Sequence, residues 1–325
     1  MSSDNRQLRF LLDDLFREVN SFRHASEVED LFNYCIKMQH LSAYNASLVY
    51  IQQPGNQLVL TPQQWYKEGR QIKPNARPLV ILMPFCPVSF VYDISDTLPI
   101  EDTPDEAAKQ KIIERYINQH DINSQEIAEM CHEKIKLLVE NMPIFGVKYE
   151  YMEAGNRLMA NIRPYYEGVV EVPIKRDFRV NYSSLFWIGL NKKLDDITQF
   201  TSLCHELGHL FCHHMPMEIN STIFYRHRPM PNDIEEFEAE SVAYLVCRRL
   251  GITNRSAEYL SGYKNNGEIP TVSFENIFRA VNTIEKMLQT KMPYKEGYLY
   301  KYDSHFRKYV ADKIKTYSQS RSLFP

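Results

Sequence analysis

The chain has 325 residues, is 44% hydrophobic, 24% charged and 12% aromatic, and carries a formal net charge of −3. This is the composition of a globular protein able to bury a sizeable core, with length for about two domains. Its charge balance gives no global pull towards nucleic acid or an anionic membrane.

No apolar run is long enough to cross a bilayer, so no membrane partner is expected. The polar start Met1–Arg6 has no apolar stretch behind it to serve as a secretory signal. Six widely spaced cysteines without a CxxC pair read as reduced thiols and not as a disulfide framework. The expected location is therefore the cytoplasm.

In chain order, Leu8, Leu11, Leu12, Leu15, Phe16 and Val19 recur at helical spacing, as do Val28, Leu31, Phe32, Cys35 and Met38. A third helix over Ala43–Gln52 stops at Pro54-Gly55. Gln57–Leu60 reads as a short strand, and Thr61-Pro62 as a helix cap followed by a first-turn proline. Pro78–Met83 and Val88–Tyr92 are β-rich runs interrupted by Pro84 and Pro87. The acidic, proline-containing stretch 94–108 reads as a domain junction.

Beyond it, Ile112–Ile117 and Ile127–Val139 are helix candidates. Strands are expected in Val147–Met152, Arg157–Ile162, Gly168–Val172 and, most strongly, Ser184–Leu190. Helices follow over Asp195–His214, Glu235–Leu250, Ser273–Leu288 and Ser304–Tyr317. The class is α+β. The expected domains are 1–98, a linker and connecting helix over 99–125, and a larger domain over 126–325 that carries a small mixed sheet.

The chemistry concentrates in His205-Glu206-Leu207-Gly208-His209. Two His four apart on a helix point to one side and can chelate one ion, and the intervening Glu206 reaches the same face as a base. Phe200, Leu203, Leu207, Leu210 and Phe211 supply the apolar stripe behind them. Gly208 leaves room for a second backbone beside the site.

A catalytic zinc needs a third protein ligand. Cys212 and Met215 occupy the Gly and final His places of HExxHxxGxxH, so that solution is excluded. His213, one turn beyond His209, is expected to be a supporting or surface group, with ligation of the ion as the alternative. The acidic run 235–240 is the better source. Glu236 and Glu240 adjoin the small residues Ala239 and Ala243 and suit one ligand plus one acceptor that orients an imidazole. Glu235 and Glu238 are expected to face solvent.

The strand ending Ile188-Gly189-Leu190-Asn191, the run Phe200–His213 and the run Glu236–Ala243 together resemble the ImmA/IrrE family of metallopeptidases. The resemblance covers roughly residues 145–265. It implies a zincin-like fold, one zinc ion held by His205, His209 and a glutamate, and Glu206 as base. By position the third ligand is Glu236, with Glu240 the runner-up. It also implies a protein substrate such as a regulator or repressor.

The first domain has a second resemblance. Tyr44–Val49, Gln52-Gln53-Pro54-Gly55, Gln64-Trp65, Gly69-Arg70, Lys73–Pro84 and Val91–Thr97 are similar to the N-terminal domain of ArdC-type antirestriction proteins. That resemblance implies single-stranded DNA as a partner. Trp65 and Tyr66, beside Lys67, Arg70, Lys73 and Arg77, combine a stacking surface with phosphate-seeking charge. However, residues 1–95 hold nine Lys/Arg against nine Asp/Glu, so the domain has no basic excess.

Two functions follow. One is hydrolysis of a peptide bond, with Ser184–Leu190 as the edge on which an extended substrate pairs and Tyr244, Tyr259, Tyr263 or His227 as candidates to steady the oxyanion. The other is an antirestriction or DNA-associated factor in which proteolysis is not the main activity.

Overall fold

The structure, a computed structural model, describes residues 24–83, 88–101, 105–117, 123–155, 158–219, 222–223, 227–253 and 268–322. The helix predicted from Leu8 to Val19, Pro84 and Pro87, and Tyr259 and Tyr263 lie outside these. The chain is α+β and forms two compact units, each built from two stretches of sequence: 1–121 with 244–282, and 122–243 with 283–325. This interleaving differs from the linear order of domains expected from composition. Among the described residues no helix is long and apolar enough to cross a membrane.

In the first unit, helices α1 (Ala25–Lys37) and α2 (Ala43–Gln52) pack against each other. Ser42 caps α2 by accepting from the Asn45 amide at 3.3 Å. Strand β1 (Val59–Leu60) leads to the short helix α3 (Pro62–Lys67), which starts with a capping box between Thr61 and Gln64. Strands β2 (Arg70–Ile72), β3 (Leu79–Ile81), β4 (Ser89–Asp93) and β5 (Thr97–Pro99) and helix α4 (Asp105–Ile117) follow. The sheets are β1-β4-β3 and the antiparallel pair β2-β5. Leu58, Leu60, Trp65, Ile94 and Ile112 form one buried cluster. The described residues 94–101 and 105–117, which lie in the stretches read from sequence as junction (94–108) and as linker and connecting helix (99–125), therefore belong to this unit.

In the second unit, α5 (Ser124–Asn141) is capped by Asn123 and packs on α6 (Asp196–Phe211). Between them run β6 (Val147–Met152), β7 (Ala160–Pro164), β8 (Val169–Lys175), β9 (Phe178–Ser183) and β10 (Phe186–Asn191). The sheet order is β6-β10-β7, with β10 parallel to β6 and antiparallel to β7, so the sheet is mixed as expected. β8 and β9 form a separate hairpin. The short pair β11 (Glu218–Ile219) and β12 (Thr222–Ile223) precedes α7 (Asn232–Arg249), which reaches Ala243 within this unit. The last helices are α8 (Phe274–Gln289), whose residues up to Asn282 belong to the first unit, α9 (Tyr298–Tyr302) and α10 (Ser304–Ser322). The described cysteines (Cys35, Cys131, Cys204, Cys212 and Cys247) are buried and form no disulfide among the described residues.

Two contacts place the site. Asn191, fully buried at the end of β10, donates to the carbonyls of Leu158 (3.0 Å), Gly155 (3.3 Å) and Ala154 (3.4 Å), and so fixes the chain that enters β7. Gly208 lets α6 and α7 touch: a Cβ added there would meet the Ala239 Cα at 3.0 Å and its carbonyl oxygen at 3.1 Å. The bare glycine thus lets the acidic helix approach the two histidines closely.

Candidate metal centre

Helix α6 begins with Asp195 accepting from the Thr198 amide at 2.9 Å, and buries Phe200, Leu203, Leu207, Leu210 and Phe211 on one side. The opposite side carries His205 and His209, one turn apart, with side chains 19% and 13% exposed. Their Nε2 atoms lie 3.0 Å from each other. Glu236, from α7, places one oxygen 3.5 Å from His205 Nε2 and the other 3.6 Å from His209 Nε2.

Donors at zinc–ligand distances of 2.0–2.1 Å sit about 3.3 Å apart in a tetrahedron. The three separations bracket that value, and two imidazoles with one carboxylate form a donor set suited to a divalent transition metal. The residues fit an ion.

Glu240 sits on the far nitrogen of His205, with its oxygen 3.5 Å from Nδ1. It is thus placed to orient the His205 ring. Glu236 is the carboxylate that shares the face of the two Nε2 atoms.

The electrostatics suit chemistry. Burial raises the Glu206 pKa to about 6, against the charge of His205 and a hydrogen bond from the Ile162 amide. Burial works against a charge on His205, but hydrogen bonds to Glu236 and Glu240 outweigh it and raise its pKa. Burial and the His205 charge push His209 down, towards the neutral form. A hydrogen bond from His205 holds Glu236 below the usual carboxylate range. A carboxylate poised near neutrality is what a general base requires.

The strand expected to receive a substrate is not available. β10 is central, paired on both sides, so its backbone groups are spent on its neighbours. The outer strand beside the site is β7. The Tyr165 amide bonds inward to the Leu185 carbonyl, so with side-to-side alternation the Ile162 amide points outward, where it meets Glu206.

Expectations for two further residues change. His213 is not part of α6: the helix ends at Phe211, and His213 has the left-handed φ of 65°. The residue that reaches His209 is instead His214, with Nδ1 to Nδ1 at 2.9 Å. Glu238 does not face solvent. It is fully buried, 3.0 Å from His214 Nε2, and both of its oxygens receive the Arg228 guanidinium, at 2.8 and 3.1 Å. His214, Glu238 and Arg228 were missed because their meeting depends on a chain reversal after the helix. The adjacent pair His213-His214 was the available signal.

Of the oxyanion candidates, Tyr244 falls in the first unit, where its ring lies 6.1 Å from that of Phe32. His227 is half-buried on the segment that carries Arg228.

The residues proposed for DNA contact separate into two groups. Trp65 is fully buried in the core of its unit and donates Nε1–H to the Tyr92 carbonyl at 2.8 Å, so no base can stack on it. Arg70 is 2% exposed. Its guanidinium binds Thr97 Oγ1 (2.6 Å), the Thr97 carbonyl (3.2 Å) and Asp105 (2.6 Å), so it is not available to a phosphate. Lys67 and Arg77 are exposed, and Lys73 donates to the Ser95 carbonyl at 2.6 Å. The exposed aromatic of the group is Tyr66, at 72%.

No protein-family model and no curated protein matches the chain. Among solved structures, it shows a weak likeness to the crystal structure of the antirestriction ArdC protein from the R388 plasmid in its Mn(II)-bound form. Identity is 14% and the TM-score 0.29, over 75% of this chain and 86% of that one. The metal-free form of the same protein gives 11% identity and a TM-score of 0.28, over 75% and 81%.

Proposed function

We propose that the chain is a zinc-dependent hydrolase that cleaves a peptide bond in a protein substrate. The observation that carries this reading is the convergence of His205, His209 and Glu236 on one face, with Glu206 beside them at a pKa of about 6. His205, His209 and Glu236 would hold the ion, and Glu240 would orient His205. When bound, zinc in such a set acidifies water and polarises a carbonyl.

Glu206 accepts the proton of the attacking water and returns it to the leaving amine. At neutral pH a group of pKa about 6 is mostly ionised yet can still be reprotonated. The outer edge of β7 offers backbone groups with which an extended peptide can pair as an added strand. The protein substrate and the zincin-like fold come from the resemblance to ImmA/IrrE metallopeptidases. The donor geometry supports metal-assisted hydrolysis.

The second reading is an ArdC-like antirestriction factor that binds single-stranded DNA. It rests on the pattern of residues 44–97 and on the exposed Tyr66, Lys67 and Arg77. An intact base beside the metal ligands favours the hydrolase.

The deciding experiment compares the wild type with Glu206→Gln for bound metal, cleavage of candidate proteins and binding to single-stranded DNA over a salt series. The hydrolase reading expects equal zinc in both and turnover lowered roughly 10²–10⁴-fold in the variant. Salt-dependent DNA binding without cleavage by either protein would replace it with the second reading.

A further inference from the structure

The three donors account for the Nε2 atoms of the two histidines but not for a buried file of polar groups behind His209. That file starts from how α6 ends. The His213 amide bonds the Leu210 carbonyl at 3.2 Å and the His214 amide bonds the His209 carbonyl at 3.1 Å, with His213 left-handed between them. This pair of reversed bonds is the helix-terminating motif normally built on glycine. Here it folds the chain back so that the His214 ring lies 5.1 Å from the His209 ring, centroid to centroid, with the two Nδ1 atoms in hydrogen-bond contact.

The proton positions along the file follow from donor chemistry. Arg228 only donates, so both Glu238 oxygens that it reaches act as acceptors. Glu238 therefore requires a donor from His214, which must carry a proton on Nε2. The Nδ1 of His214 then faces His209 Nδ1 at 2.9 Å, placed to accept the His209 Nδ1–H. That leaves the His209 Nε2 lone pair facing His205 and Glu236. In this arrangement of protons His209 has the tautomer a metal ligand needs.

We propose that His214, itself fixed by the Glu238–Arg228 pair, is a positioning residue that holds His209 in the tautomer and ring orientation required to bind the metal. This rests on the metal reading above and adds a residue to it.

His214, Glu238 and Cys212 also lie close enough together to suggest a second metal site. That alternative fails on the same contacts. Both Glu238 oxygens are taken by Arg228, both His214 nitrogens are engaged, and burial drives the Cys212 thiol well away from the thiolate.

The test uses the full chain as wild type, His214→Leu and His214→Gln. Zinc affinity is measured by competition with a chromophoric chelator, and the ring-nitrogen NMR signals of His209 are recorded in the metal-free wild type. His214→Leu should weaken zinc binding roughly 10–100-fold, the usual cost of removing a partner behind a ligand. His214→Gln, whose amide can both accept and donate, should recover most of that loss.

The spectrum should show the His209 proton on Nδ1. A proton on Nε2, or equal zinc affinity in His214→Leu and wild type, would overturn the proposal. Should the leucine variant not fold, the spectrum and the glutamine variant still decide. Zinc binding that depends on His214 without any peptide cleavage would keep the proposal and remove the peptidase reading. A wild type that binds no zinc overturns both.

Discussion

Two clusters of chemistry-bearing side chains stand out in this sequence, and they meet opposite fates. Trp65 and Arg70 in the first unit are drawn inward and used to hold the fold: the indole fills the core, and the guanidinium ties β2 to β5 and α4. His205, His209 and Glu236 in the second unit keep their donor atoms on a partly open face, with like and unlike charges crowded together. The first arrangement adds stability. The second costs it, as functional sites tend to do. The difference shows that residue type alone does not mark a site; whether a residue's polar atoms are already satisfied by the fold does.

Substitutions can break or sharpen this contrast. The largest effect is expected at Trp65, where Trp65→Ala should lower stability by about 3–5 kcal/mol in chemical denaturation, the range for emptying a core aromatic site. Lys67→Ala and Arg77→Ala should stay within about 0.5 kcal/mol of wild type. A small loss at Trp65 would mean that the indole is not part of the core.

At the candidate metal centre the sign should reverse. The folded-state pKa of Glu206, about 6, lies above the ordinary 4.5, so folding favours its protonated form. Its contribution is fully present below pH 4.5 and is lost as pH rises through about 6. A glutamine never ionises. Metal-free Glu206→Gln should therefore match wild type near pH 4 and exceed it by about 2 kcal/mol at pH 8. An equal or lower stability at pH 8 would show that the buried carboxylate is not under strain.

The smallest effect concerns His213. Its left-handed backbone suits glycine better, so His213→Gly should raise stability by about 1 kcal/mol at most, with zinc affinity unchanged. A marked drop in zinc affinity would return His213 to the site.

The helix that carries His205 and His209 could be read from the sequence because its geometry is local. Spacing of four puts His205 and His209 on one face whatever surrounds them, and the flanking apolar residues fix which face is buried. Gly208 could be read as a point of close approach for the same reason. What could not be read depended on contacts distant in sequence. Glu238 looked solvated because its partners lie on a chain reversal and on a segment ten residues upstream. β10 looked like a free edge because nothing in its own sequence shows that β6 and β7 flank it. Trp65 and Arg70 looked like a binding cluster because Tyr92, Thr97 and Asp105, which satisfy them, come 27 to 35 residues later.

The interleaved division of the chain has a consequence for biosynthesis. The first unit is not complete until residue 282 has been made, and the whole stretch 122–243 of the other unit is synthesised before its second portion emerges. At a ribosomal rate of about 5–20 residues per second, the N-terminal portion waits on the order of ten seconds for its missing segment. During that interval it must remain soluble with part of its core exposed. A truncation at residue 121 would reproduce this unfinished state.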